Sequence, residues 1–252
     1  MKEMTAGSLK IKIMDSRKAM GAEAARDISR AITGVIQEKG VCNMIFAAAP
    51  SQNEVLAALV ADQSIDWQKV NAFHMDEYLG LSQDAPQGFG NFLKRAIFSQ
   101  VKMKSVHYIH SDAKDRDQEC ERYAGLLRQY PVDIVCMGIG ENGHIAFNDP
   151  HVADFQDKKL VKVVDLDEAC RQQQVHDGCF AALEEVPQYA ITLTIPALVH
   201  CREAFCVVPA ATKAQAVHDT VRGEIGEHCP ASILRRHEKA VLYLDPDSAK
   251  LL

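Results

Sequence analysis

Between Asp133 and Pro150 the chain reads "DIVCMGIGENGHIAFNDP". An apolar run passes into Gly138, Gly140 and Gly143, and His144, Asn148 and Asp149 follow within six residues. A histidine oriented by a nearby carboxylate, Asp149, and by Glu141 or Asn142 can move protons near neutral pH. A second group is "FHMDEYLG", in which His74, Asp76, Glu77 and Tyr78 close an apolar run. There a carboxylate at a strand end is a candidate base, with period-2 alternation sending His74 and Asp76 to one face and Glu77 to the other unless the strand has already ended.

The spacing G-x-G-x-x-G also suggests a dinucleotide turn. That turn needs its third glycine to open a helix, whereas Gly143 leads into Asn148-Asp149-Pro150, a turn signal whose proline disfavours a helix. Backbone N–H groups of such a loop still serve an oxyanion or phosphate. A metal held by His74 and Asp76 lacks a second histidine at ligand spacing or a cysteine pair, so no metal is expected.

Two further junctions suit an anion. In "FAAAPSQNE" small residues, with Ala49, Ser51 and Gln52 at the turn, let backbone approach a ligand where a new helix presents its positive end. Ser51 also fits the N-cap of that helix, and the P-loop lysine is missing. In "FCVVPAATKAQAV" Lys213 falls in a first helical turn, against the helix dipole unless an anion shares the site.

These residues need a scaffold that brings several strand ends together. The chain alternates short β-branched runs with longer helical patterns: "LKIKIMD" reads as a strand, and "SRKAMGAEAARDISRAITGVIQEKG" as a helix closed by Gly40 with Ala24, Ile28, Ile32, Val35 and Ile36 as its apolar stripe. Continuously apolar strands between helices imply an α/β fold, a mostly parallel Rossmann-like sheet in a three-layer α/β/α arrangement. Ligands of such sheets sit beyond the carboxyl ends of the strands, near a switch in strand order. Residues 1–252 form one expected domain, with no internal repeat, and the irregular text of 151–185 is the expected mobile flap.

Composition narrows the class. Of 252 residues 47% are apolar and 25% charged, proportions of a globular protein, and the net charge of -6 with no basic cluster beyond Arg235-Arg236-His237-Glu238-Lys239 argues against nucleic acid. No apolar run reaches membrane-span length and the amino terminus lacks a signal peptide's pattern, so a cytoplasmic protein is expected. The eight scattered cysteines are expected reduced and mostly buried.

With these segments quoted, the chain resembles the glucosamine-6-phosphate deaminase (isomerase) family, through "VNAFHMDEYLGL", "MGIGENGHIAFNDP", "VPQYAITLT", "TKAQAV" and "AVLYLD". The resemblance implies a hexosamine 6-phosphate substrate, Asp76 as the base that moves a proton between C1 and C2, and His144 as the acid–base group for ring opening, oriented by residues 142 and 149. It matches Lys213 and the backbone of Ala49 to Ser51 to phosphate positions, implies ligand contacts at Gln52, Glu77, Gly138 and Gly143, and makes Arg171 the candidate phosphate-binding arginine. No metal or organic cofactor is implied, and a homo-oligomer is compatible with this reading. The chain departs from the family's usual pattern at its first loop, at Asn142 where many members carry Asp, and at Asp149 where Glu is usual. Lactone hydrolysis, as in the related 6-phosphogluconolactonases, and a non-catalytic sugar-phosphate sensor remain as alternatives. Gluco or galacto preference stays open.

Overall fold

A computed structural model describes all 252 residues. The strands are β1 (Lys2–Ala6), β2 (Leu9–Ile13), β3 (Cys42–Phe46), β4 (Val70–His74), β5 (Asp76–Tyr78), β6 (Ser105–His107), β7 (Ile134–Met137), β8 (Val161–Asp165), β9 (Tyr189–Leu193), β10 (Glu203–Val208) and β11 (Ala240–Leu244). The helices are α1 (Arg17–Lys39), α2 (Asn53–Ala61), α3 (Phe89–Leu93), α4 (Arg116–Gln129), α5 (Glu168–His176), α6 (Ile195–Val199) and α7 (Ala214–Arg222).

Eight strands form the main sheet in the order β1-β2-β11-β10-β7-β3-β4-β6, parallel throughout except for the β1–β2 hairpin at one edge. From β3 the chain builds outward through β4 to β6, and later from β7 through β10 to β11. The order therefore switches between β3 and β7, where the crevice of an open α/β sheet belongs. Adjacent strand residues serve opposite faces: Met44 and Phe46 join one apolar cluster of 35 buried residues, while Ile45, Val135 and Met137 join another of 34. Near-equal cover on both faces explains why the central strands are apolar without alternation. It also confirms the expected α/β layering.

The small sheet was not expected. Strands β5, β9 and β8 form a separate antiparallel sheet, with Asp76 opposite Thr192. Strand β4 ends at His74, and after one residue, Met75, the chain enters the second sheet. The run "VNAFHMDEY", read as one strand, is thus two.

Local signals set α1 as expected. Ser16 accepts a hydrogen bond from the Ala19 N–H, and Gly40 closes the helix at φ 77°, a left-handed position suited to glycine. Gly21 matters for the site. A Cβ there would lie 2.5 Å from Glu54 Cβ, so its absence lets α2 pack against α1 close to the helix starts. All eight cysteines are free, six of them buried. No helix is long and apolar enough to cross a membrane.

Candidate active site

The turns following β3, β7 and β10 and the start of β5 converge on one cleft, whose lining includes Arg17, Ser51, Asp76, His144 and Lys213. Expected ligand positions Ala49 and Gly138 also line it.

After β3, Ala49 leads a short 3-10 helix, Pro50–Gln52, ahead of α2. Ser51 is therefore not the N-cap that the sequence suggested: its Oγ accepts from Gln52 Nε2 at 3.0 Å and it faces the cleft. Gln52 lies outside the lining, buried, with its amide also donating to the Val207 carbonyl at 3.3 Å. It braces the turn against β10.

Lys213 ends the 3-10 turn before α7 and is only 6% exposed, and its Nζ has no hydrogen-bond partner. Burial drives its pKa down, against the opposing charges of Asp177 and Glu141. A buried ammonium without an acceptor is costly unless an anion joins it. Arg17 is the second cation. Its Nε donates to Glu54 Oε1 at 2.8 Å and its Nη2 to the Pro50 carbonyl at 2.6 Å, leaving further guanidinium N–H groups free beside the turn.

His144 sits over Gly140, where a Cβ would lie 2.1 Å from the imidazole Cε1. Its Nδ1 is 2.7 Å from Asn142 Oδ1 and 2.9 Å from Asp149 Oδ1. Both neighbours are acceptors, so the proton resides on Nδ1 and is shared between them, which leaves Nε2 for chemistry. Asp149 is fully buried, and burial raises its pKa, but the hydrogen bond and charge of His144, the Asn142 amide and the Asp167 N–H together hold it below the usual range. Asp149 thus reaches His144 directly, despite being one methylene shorter than the glutamate usual in the family. Asn142 and Asp149 stand behind the imidazole and outside the cleft lining.

Asp76 is 7% exposed, and its carboxylate accepts no hydrogen bond from the chain. Burial first, then the charge of Glu77, push its pKa well above the ordinary aspartate value. Glu77 faces the other way. It accepts from the N–H groups of Tyr78, Phe89 and Gly90, capping α3, and burial raises its pKa to about 6 against those bonds. The expected ligand contact at Glu77 is replaced by a structural role. His74 is fully buried, with Nδ1 2.9 Å from the Asp76 carbonyl and Nε2 accepting from the Ile109 N–H. Both ring nitrogens are occupied and burial lowers the pKa to about 4, so a metal on His74 and Asp76 has no lone pair to use.

Arg171 is corrected as well. Its guanidinium donates to the carbonyls of Leu183 and Val186 and lies away from the cleft. The face of α5 that meets the cleft carries Gln173 and Gln174, with Asp177 one turn on. Residues 151–185 are more regular than expected, since they hold β8 and α5. Gly143 turns at φ 83° next to Cys229, behind the loop rather than on the cleft. His144, Asp149 and Cys170 lie close enough for one metal ion, but the first two already hydrogen-bond each other.

Reading the sequence missed Arg17, Gln173, Gln174 and Asp177. A basic residue in the first turn of α1 was the available signal for Arg17, the same violation of the helix dipole that pointed to Lys213.

A parallel α/β sheet that brings a free carboxylate, a carboxylate-held imidazole and two cations to its strand-order switch is built for acid–base work on a small anionic ligand. The chain belongs to the family described as glucosamine-6-phosphate isomerases/6-phosphogluconolactonase, whose model matches residues 15–243. A glucosamine-6-phosphate deaminase of Listeria innocua is 31% identical over 241 residues, covering 95% of this chain and 99% of the relative. One from Bacillus cytotoxicus is 30% identical, covering 96% and 89%. Among solved structures, a monomeric glucosamine-6-phosphate deaminase superposes with a TM-score of 0.87 at 26% identity, covering 96% of this chain and 99% of that one. A 6-phosphogluconolactonase from Thermotoga maritima, at 19% identity and a TM-score of 0.76 over 93% and 98% of the two chains, shares the fold.

Proposed function

We propose that the protein is an amino-sugar phosphate isomerase and deaminase, acting on a 2-amino-2-deoxyhexose 6-phosphate. The observation that carries this reading is the partnerless Asp76 carboxylate in the same cleft as His144 Nε2 and the unpaired Lys213 ammonium. Lys213, Arg17 and the turn amides around Ala49 to Ser51 hold the phosphate. His144 opens the pyranose by passing a proton between the C1 hydroxyl and the ring oxygen. Asp76 then removes the proton at C2 and returns it to C1, leaving a C2 imine, to which water adds as ammonia departs and a ketose 6-phosphate forms. Carbon-acid chemistry needs a base of raised pKa within reach, and the largely buried Asp76 carboxylate supplies it.

The test is ammonia release from glucosamine 6-phosphate and galactosamine 6-phosphate, with solvent deuterium followed into C1 of the product. Turnover of neither sugar rejects the assignment. Hydrolysis of a phosphogluconolactone without deuterium uptake would favour the lactonase alternative, which has no use for Asp76 as a carbon base. Phosphorylated sugars are retained inside cells, which supports a cytoplasmic site of action.

A further inference from the structure

Behind His144 lies a carboxylate that the reaction just described does not use. Asn142 Oδ1 faces His144, at 2.7 Å from Nδ1 and accepting the His144 backbone N–H at 3.1 Å. With its oxygen committed there, the amide nitrogen points away and donates to Asp149 Oδ1 at 3.0 Å and to Asp167 Oδ2 at 3.1 Å. Every hydrogen of that amide is used. Asp167 is the N-cap of α5: its Oδ1 accepts from the Cys170 N–H at 2.6 Å, and its own N–H lies 3.4 Å from Asp149 Oδ2. One turn further along α5, Gln173 Oε1 accepts the Glu141 N–H at 2.8 Å. The start of α5 is therefore fastened to the loop of His144 at two points, and the same helix carries Gln173 and Gln174 into the cleft.

We propose that Asp167 is a positioning residue for the acid–base group, acting on His144 through the Asn142 amide and coupling the α5 wall of the cleft to the imidazole. The proposal rests on the reading of His144 as that acid–base group. It also gives position 142 a physical reason to be Asn. A carboxylate there would face Asp149 and Asp167 at the 3.0 and 3.1 Å now spanned by the amide, with no hydrogen to give. Three anions would then share one partly buried pocket. The amide turns two repulsions into two hydrogen bonds while still accepting from the ring.

The test compares N142D, D167N, D167S and the double variant N142D/D167N in the full-length protein, measuring kcat and KM for the amino-sugar phosphate that the wild type turns over. Serine and asparagine both retain an oxygen for the α5 cap, so folding is kept while the link to Asn142 is cut. Expected is a loss in kcat of about tenfold for D167N and D167S, and on the order of a hundredfold for N142D, with KM changing less than kcat, as suits a misplaced catalytic group. In the double variant the amide and the carboxylate trade places, so that a donor at position 167 again meets an acceptor at position 142. Its kcat should recover above that of N142D alone, a coupling that double-mutant cycles detect. The proposal is overturned if D167N and D167S keep wild-type kcat, or if the double variant is as poor as the product of the single losses. A wild type inactive on every amino-sugar phosphate instead removes the functional reading, a separate result.

Discussion

Asp76 and Lys213 line the same cleft, and neither charge has a partner in it: the carboxylate accepts no hydrogen bond from the chain, and the ammonium is buried without an acceptor. Burial pushes both toward their neutral forms, the acid upward and the amine downward. Burial of either group is costly, and a ligand offering an anion to the ammonium and an acidic C–H to the carboxylate would offset that cost.

Replacing Lys213 with Met keeps the bulk and removes the unpaired charge. We expect this variant to gain stability, by about 1–3 kcal/mol, and hence to melt several degrees higher, at roughly 2–4 °C per kcal/mol for a chain of this size. Inorganic phosphate should raise the wild-type melting temperature and raise that of the variant by less. Thermal melts with and without phosphate check both, and a variant stabilised by phosphate as much as the wild type would remove Lys213 from the anion site.

Asp76 has a pKa raised above its unfolded value, so the folded state holds its proton more tightly. Its contribution to stability is greatest below the unfolded value of 3.8 and is lost as pH rises through the folded one. Asp76→Asn should therefore be more stable than wild type at neutral pH, with the difference shrinking as pH falls. Turnover should drop by about 10²–10⁴, the range for removing a general base. In the wild type the acidic limb of kcat/KM should lie well above the ordinary aspartate range, which a pH–rate profile reads directly.

Arg17→Met removes free N–H donors beside the Pro50–Gln52 turn. Loss of charge-assisted hydrogen bonds worth about 1.5–3 kcal/mol predicts a KM for the sugar phosphate raised by roughly 10–100-fold. Steady-state kinetics decide this: a variant with unchanged KM would leave Arg17 only its structural bonds to Glu54 and Pro50.

For Asp149 the sign is opposite to that for Asp76. Its folded pKa is depressed, so the stability it contributes is present above the unfolded value of 3.8 and is lost as pH falls through the folded one. Asp149→Asn should flatten the acid side of the stability–pH curve. It should also cost about 10²–10⁴ in kcat, because an amide no longer favours the Nδ1-protonated ring. Acid unfolding followed by circular dichroism, beside ammonia release, separates the two effects.

The residues legible in sequence are those whose role follows from their own strand end: Asp76 after an apolar run, His144 in its glycine-rich loop, and Lys213 in a turn where a cation is out of place. What escaped reading depends on distant contacts. Arg17 reaches the cleft because α1 and α2 approach at Gly21, and the text around Ser16 does not reveal that approach. Arg171, the candidate that the family resemblance offered, is excluded by helical phase: Cys170, Gln173 and Gln174 are the buried residues of α5, and Arg171 falls beside that stripe and is spent on carbonyls at 183 and 186. Alternation separates Asp76 from Glu77 as expected, but the break at Met75 stays hidden, since a period of two carries no information about a strand that stops pairing with one sheet and begins pairing with another.

That handover at Met75 has an evolutionary corollary. Asp76 is anchored in the antiparallel trio and His144 follows a strand of the large parallel array, so the span between them is set by how the two arrays seat on each other. Substitutions among the apolar side chains at that seam would shift Asp76 relative to His144, and so relative to a ligand lying between them, while both side chains, and the strands that bear them, stay as they are. A lineage adapting to a different sugar could start its search there.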